Sequence, residues 1–419
     1  MTHWKGLRLA LILLLACGGR SAPAADEPLD LATALEGHVH PLALAADGVT
    51  GPGAELLFRA AGESQFIILA EEHDLRELND LSASLFEQLA ARHDYRYAVV
   101  ESGSVFTEMI SAEGIRGDLE AISSVASRYP YGPTFATDQE LAFFATVGRS
   151  SKAAIGPVWG VDQEFAALHV LDRLASRATT PIAKSRISTL ADAARPHDSD
   201  RSGDHHYISE LAAPEDFADL PTLFSEEDLE SQRLIRELQR SIYVYGAYHG
   251  RQGAAPTRFD SGRQREEDMR SRFMDRYRAA QAAGDPLPRA LVKMGHWHTT
   301  PGFFRANVPT FGNFLCELAR GNGLGAFVVY TLVIDSSEAW RNSGSALGSL
   351  AGEGTYTLID LRPLRPLVHH ERLAELPEVL RELIFRVDAA LVIRGGHTGT
   401  YEVVKPTTVE TPVGADLGG

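Results

Sequence analysis

The sequence predicts an α/β protein with a doubly wound, mostly parallel sheet and a helical insertion. Short apolar runs rich in valine and isoleucine alternate with segments of helical periodicity, as they do in βαβ units. Between residues 165 and 288 the strand signal nearly disappears while helical patterns continue. The strands are predicted at 65–70, 97–100, 158–161, 291–294, 327–333, 356–359 and 389–393.

Residues 1–24 have the features of a signal peptide. Lys5 and Arg8 precede an apolar run, residues 9–15, which is too short to span a bilayer as a helix. The run ends in a lipobox-like segment at Cys17, whereas residues 22–24 offer an ordinary cleavage site. We favour lipidation, so we expect an exported, periplasm-facing or outer-membrane lipoprotein of the bacterial cell envelope, anchored to the membrane at Cys17.

The composition is that of a globular protein with an ordinary core. Of the 419 residues, 44% are hydrophobic and 23% are charged. The net charge is -16, and the acidic residues are spread along the chain, which argues against nucleic acid as a partner. Cys316 is the only cysteine besides Cys17, so an internal disulfide in the mature chain is not expected.

Within this plan the α/β core has two halves, residues 25–164 and 289–404, and residues 405–419 form a loose tail. The first crossover helix follows the strand at 65–70 and has leucines at helical spacing. Asp74 and Glu77 are predicted to form its N-terminal capping box. The insertion, residues 165–288, is interpreted as a lid or wall over a site.

Ionisable residues follow two of the predicted strands directly. The first strand ends in Glu71-Glu72-His73-Asp74, and the strand at 291–294 ends in Gly295-His296-Trp297-His298. If the chain stays extended there, His296 and His298 lie on one side of it. The alternative is that one histidine lies at the pocket and the other is hydrogen-bonded in support. Active sites of parallel sheets lie at the carboxyl ends of the strands, so these histidines indicate a pocket.

Acidic residues also follow two further predicted strands. Glu101 follows the second strand, and Asp162 and Glu164 follow the third. One acid after a strand is more often a helix cap or a solvated loop residue. The recurrence at four strand ends favours a pocket over coincidence. A charged helix at 263–277 also places Arg265 and Met269 on one face.

Together these residues resemble the superfamily that joins erythromycin esterases with ChaN-like haem-binding lipoproteins and, more distantly, the Tiki and TraB proteins. In erythromycin esterases a strand ends in Gly-Glu-x-x-His, a later strand ends in Glu, a helix carries Arg-Asp/Glu-x-x-Met and a late strand ends in Gly-His-Asn-x-His. The matching positions are Glu71, His73, Glu77, Glu101, Arg265, His296 and His298. This chain departs from the pattern at Ala70 and in both histidine spacings, and its first segment is closer to the ChaN-like form.

The resemblance implies hydrolysis of an ester or related acyl bond by activated water, with no cofactor required. No Gly-x-Ser-x-Gly elbow is present, so a serine nucleophile has no support. In this hypothesis His73 is the general base, Glu71 or Glu101 orients it, and His296 or Arg265 stabilises the oxyanion. The residues assigned to binding the small-molecule substrate are Glu72, Glu77, Asp162, Glu164 and His298.

A second hypothesis is a metal- or haem-binding lipoprotein. Here Glu71, His73, His296 and His298 would be ligands, a mixed set that suits zinc, manganese or iron. A divalent metal in the same pocket would also permit a metal-dependent hydrolase or peptidase. An interaction protein with a decayed pocket is the third and least favoured hypothesis, because decay would scatter the ionisable residues.

Overall fold

A nine-stranded sheet forms the centre of the computed structural model, which describes residues 28–199, 206–303, 307–343 and 345–404. The expected signal peptide, Cys17 and the tail at 405–419 lie outside these residues. The strands are β1 (Val39–Ala45), β2 (Gly48–Thr50), β3 (Ser64–Glu71), β4 (Tyr97–Gly103), β5 (Val158–Asp162), β6 (Ala290–Gly295), β7 (Gly325–Ile334), β8 (Tyr356–Asp360) and β9 (Ala389–Arg394).

The sheet is mostly parallel, as predicted. Its order is β2-β1-β8-β9-β7-β3-β6-β4-β5, and the six strands from β9 to β5 run parallel. All seven predicted strands are present. Strands β1 and β2 were not predicted, and they extend the sheet as antiparallel edge strands beyond β8. Both are only partly buried, so the apolar signal of a central strand is absent from them.

Helices cover both faces of the sheet. They are α1 (Leu31–Ala34), α2 (Pro52–Glu63), α3 (Arg76–His93), α4 (Ser104–Ile110), α5 (Leu119–Arg128), α6 (Asp138–Ser150), α7 (Leu168–Arg177), α8 (Pro181–Asp198), α9 (Leu220–Leu223), α10 (Leu229–Gly246), α11 (Arg258–Ala282), α12 (His296–Thr299), α13 (Phe311–Gly321), α14 (Leu364–His369) and α15 (Glu378–Arg386). Short 3₁₀ or π turns lie at Tyr207–Leu211, Pro214–Phe217, Ala247–His249, Ala339–Arg341 and Gly348–Leu350.

The alternation of side chains along the central strands divides the core into two layers. On β3, Ile67 and Leu69 pack with α2, α3 and α6, whereas Phe66 and Ile68 pack on the opposite face with α11, α13 and α15. Every residue of β3 is buried, because helices cover both sides of a doubly wound sheet. A charged residue in these central strands therefore faces the core, unless it stands at a strand end.

The segment between β5 and β6 contains only helices and turns in the part of the chain that the structure describes. Helices α7, α8 and α10 enclose a separate apolar cluster that packs against α4 through Val105. The last helix, α11, differs from them, because Met269 and Phe273 pack directly on the sheet. It is therefore a crossover helix of the core. No helix among the described residues is long and apolar enough to cross a membrane.

The predicted capping box at the start of α3 is wrong. The helix begins at Arg76 after Leu75, without a side-chain cap, and Asp74 has a positive φ of 58°. Instead, a loop near the C-terminus binds the start of α3. In this contact, Arg76 N donates to His397 O at 2.9 Å. Glu77 turns to the same loop and accepts hydrogen bonds from the His397 backbone N–H at 2.9 Å and its ring Nδ1 at 2.8 Å.

Candidate active site

The carboxyl end of β3 places an imidazole between two buried carboxylates. His73 Nδ1 lies 3.2 Å from Glu71 Oε1, and His73 Nε2 lies 3.7 Å from Glu101 Oε2 at the end of β4. The His73 ring stacks on Phe135 with 3.9 Å between centroids. The His73 side chain is 36% exposed, so one edge of this buried cluster is open to solvent.

The His73 backbone is fixed by an arginine that was not predicted from the sequence. Arg341 is almost fully buried, and its Nη1 donates to His73 O at 3.1 Å while its Nη2 donates to Thr398 at 2.7 Å. Its Nε also pairs with Glu338 at 2.7 Å. The turn after β3 is thereby tied to two segments near the C-terminus. Neither of these segments has a local motif that would reveal the contact.

Arg265 of α11 joins the ends of β4 and β5. It donates to both oxygens of Asp162, at 2.9 and 2.6 Å, and to Glu101 Oε1 at 3.0 Å. Burial would raise the pKa of Asp162, but the guanidinium outweighs it and lowers the pKa. Asp162 is fully buried, and both its oxygens are bound by Arg265.

The two histidines after β6 do not share one side of an extended chain, and that prediction is wrong. Strand β6 ends at Gly295, and His296–Thr299 form a helical turn, α12, which sends the imidazoles in different directions. His298 is buried, with Nε2 3.5 Å from Glu101 Oε1. His296 stacks on Tyr330 and lies 3.5 Å from Glu72 Oε2.

A buried glutamate that was not among the predicted site residues supports His298. Glu266 Oε1 lies 2.6 Å from His298 Nδ1, and Glu266 Oε2 accepts a hydrogen bond from Phe311 N at 2.5 Å. Burial and Arg265 lower the pKa of His298, but Glu101 and Glu266 outweigh them and raise it. Glu266 directly follows Arg265 in the sequence, so the buried face of α11 is the signal that could have revealed it.

The electrostatics favour a protonated His73 in the free protein. Burial alone would lower its pKa, but the carboxylates of Glu101 and Glu71 outweigh burial and raise it to about 9. Burial would likewise raise the pKa of Glu71, yet Lys293 and His73 hold it at about 2. Burial lowers the pKa of His296, so this partly exposed imidazole is neutral near pH 7.

Lys293, in the middle of β6, is a further buried charge that was not predicted to belong to the site. Its Nζ contacts Glu71 Oε2 and lies 2.7 Å from Glu140 Oε2 of α6. Burial and the neighbouring Glu71 raise the pKa of Glu140 to about 7 in spite of Lys293. A lysine within the apolar run Leu291-Val292-Lys293-Met294 was the available signal.

Two other residues assigned to substrate binding are used elsewhere. Glu164 is fully buried, where it accepts a hydrogen bond from Val105 N at the start of α4 and pairs with His169, both at 2.8 Å. Glu77 binds the His397 loop. Glu72, by contrast, remains partly exposed beside His296. The structure therefore brings together Glu71, Glu72, His73, Glu101, Asp162, Arg265, His296 and His298.

The four ligands named for a metal do not fit one. Both oxygens of Glu71 are engaged, by His73 and by the ammonium of Lys293. Among the described residues, no three histidine, cysteine, aspartate or glutamate side chains converge as a metal-binding group.

Comparison with known proteins shows the fold. No family model and no curated protein matches the sequence. The solved structures that match include a Bacillus cereus protein (14% identity, TM-score 0.53), a succinoglycan biosynthesis protein (13%, 0.54) and a mutant of the erythromycin esterase EreC in its open conformation (14%, 0.51). The alignments cover 88%, 88% and 82% of this chain and 98%, 98% and 94% of the others. The erythromycin esterase-like fold expected from the resemblance is confirmed.

Proposed function

We propose that this protein hydrolyses an ester or related acyl bond of a small molecule, using a water molecule activated by His73. The observation that carries the proposal is the geometry of this imidazole. Its Nδ1 is held by Glu71, its Nε2 is too far from Glu101 for a direct hydrogen bond, and the side chain is 36% exposed. It stands at the carboxyl end of a central strand, where α/β sheets bind their ligands.

In the reactive form His73 is neutral, with its proton on Nδ1 and directed at Glu71. This tautomer leaves the Nε2 lone pair to take a proton from water as the water attacks the acyl carbon. The imidazolium that results lies between two carboxylates, Glu71 and Glu101, which stabilise its charge. The same carboxylates hold the resting imidazole protonated, so the active fraction of the protein grows with pH.

His296 is the better candidate for oxyanion stabilisation. It is partly exposed and neutral, and its Nε2 makes no close hydrogen bond to Glu72, so an N–H can be offered to a substrate oxygen. Arg265 is less available, because Asp162 and Glu101 already bind its guanidinium. We assign to Arg265 the task of holding Glu101 beside His73.

The test is a panel of aryl esters, alkyl esters, thioesters and lactones, assayed with wild type and His73→Asn. We expect wild type to hydrolyse at least one member and His73→Asn to lose about 100-fold or more of that rate. The matched control is His370→Asn, which changes an exposed histidine after α14 and is expected to retain full activity. Folding of each variant is checked by circular dichroism. A wild type inert on the whole panel, or a folded His73→Asn with wild-type activity, would contradict the proposal.

A further inference from the structure

Lys293 is a charged residue deep inside the sheet. It stands in the middle of β6 and is 2% exposed, on the face that packs against α6. Its neighbours along the strand, Leu291 and Val292, are apolar and buried. Its ammonium contacts two acids, Glu71 on β3 and Glu140 on α6, and the side chains of both are also buried.

Stability alone does not account for such a group. Removing an ammonium from water is costly, and buried ion pairs are often replaced by apolar residues of similar volume without loss of stability. A methionine or leucine on β6 would pack in the same layer as Phe143. The location of Lys293 gives a better reason, because one of its two partners is the carboxylate that holds the imidazole of His73.

We propose that Lys293 is a positioning residue for the active site, which holds one oxygen of Glu71 and thereby directs the other oxygen at the imidazole of His73. As a role in catalysis, this inference rests on the proposed function. Each Glu71 oxygen has one partner, Oε1 toward His73 and Oε2 toward Lys293. The lysine therefore anchors the carboxylate from one side while the imidazole takes the other.

The charges around the cluster agree with this arrangement. Burial would raise the pKa of Glu71, and Lys293 is the strongest influence that opposes it. Without the ammonium, a carboxyl group buried in this layer would bind a proton. The charged or titratable groups that face Glu71 and His73 are Lys293 on β6, Glu140 on α6, Glu101 on β4, Asp74 in the following turn, His296 on α12 and Arg341, which binds the His73 backbone oxygen.

The test follows the titration of His73 and needs no substrate. The Cε1–H resonance of His73 is recorded from about pH 5 to 11 in wild type and in Lys293→Met, whose side chain fills similar space without charge. We expect the His73 midpoint in Lys293→Met to fall by about 1–3 pH units, since Glu71 then binds a proton and one carboxylate charge beside the imidazole is lost. Lys184→Met, on the exposed side of α8, is the matched control and should leave the midpoint unchanged.

Lys293→Met leaves two buried acids without their cation, and this variant can fail to fold. Lys293→Met/Glu140→Gln removes one of those acids, and the same fall in the His73 midpoint is expected. An unchanged midpoint in either folded variant would overturn the inference. Ester hydrolysis is measured separately. A wild type without esterase activity but with a Lys293-dependent His73 midpoint would refute the proposed function and leave the electrostatic link standing.

Discussion

Gly295 offers a sharp test of the site, because it is the point of closest approach between β6 and His73. A methyl group on Gly295 would lie 2.8 Å from His73 Nε2 and 3.0 Å from Glu101 Oε2. Its backbone has φ -52° and ψ 144°, which any residue adopts, so Gly295→Ala introduces no backbone strain. The clash with the two side chains is therefore the direct effect of the substitution.

The size of the effect follows from these distances. To reach an ordinary separation of about 3.5 Å, His73 Nε2 has to retreat by about 0.7 Å. Such a shift also disturbs the 3.2 Å contact of His73 with Glu71. Displacements of this order cost about 100-fold in rate, whereas overpacking a core position costs about 1–3 kcal/mol of stability. We therefore expect Gly295→Ala to fold and to lose about 100-fold in kcat/KM.

The assay compares hydrolysis of the best ester from the panel with thermal unfolding. The matched control is Gly321→Ala at the end of α13, where a methyl group would meet no atom within 4 Å. This control should keep wild-type activity, and its stability should stay the same or rise slightly. A Gly295→Ala variant that folds and keeps activity within about twofold of wild type would refute the geometry on which the reasoning rests.

The charges of the site lead to three further predictions. Glu71→Gln removes the charge that orients the base, so kcat should fall about 100-fold or more and the pKa of His73, followed by NMR, should fall as well. In wild type, kcat/KM should rise with pH through a midpoint near pH 9 and level off above it, because below its raised pKa His73 holds the proton that a general base must lack. A flat pH profile through pH 9 would contradict this. Glu266→Gln weakens the support of buried His298 and should lower the free energy of unfolding by about 1–3 kcal/mol in urea titrations. Glu267→Gln, at the exposed neighbouring position, is the control for Glu266→Gln. It should change the free energy of unfolding by no more than about 0.5 kcal/mol.

The charge states of the site have a consequence for stability as well. His73 has a folded pKa raised above its usual value, so its stabilising contribution is complete below pH 6.5 and is lost as pH rises through about 9. Glu140 also has a raised folded pKa, about 7. Its contribution to the stability of the fold is therefore lost at lower pH than that of His73, as pH rises from 4.5 to 7. The conditions that free His73 for catalysis are therefore also those that weaken the fold.

The central strands, and the edge of the sheet that carries the site, are predictable from local sequence. The apolar runs of β3, β4, β5 and β6 are buried on both faces, so their signal is strong, and the ionisable residues that follow each run stand out against it. Carboxyl ends of parallel strands meet at one edge, which is why Glu71, His73, Glu101 and His298 could be grouped before any contact was known.

What each of these groups does depends on contacts between distant parts of the chain, which the folded structure alone reveals. Whether an acid faces a pocket or a helix N-terminus is set by such partners, as the different uses of Asp162 and Glu164 show. Lys293 reaches Glu71 only because β6 lies beside β3 in the sheet, where Lys293 pairs with Leu69. Charges act over a few ångströms, and a linear sequence does not specify those distances.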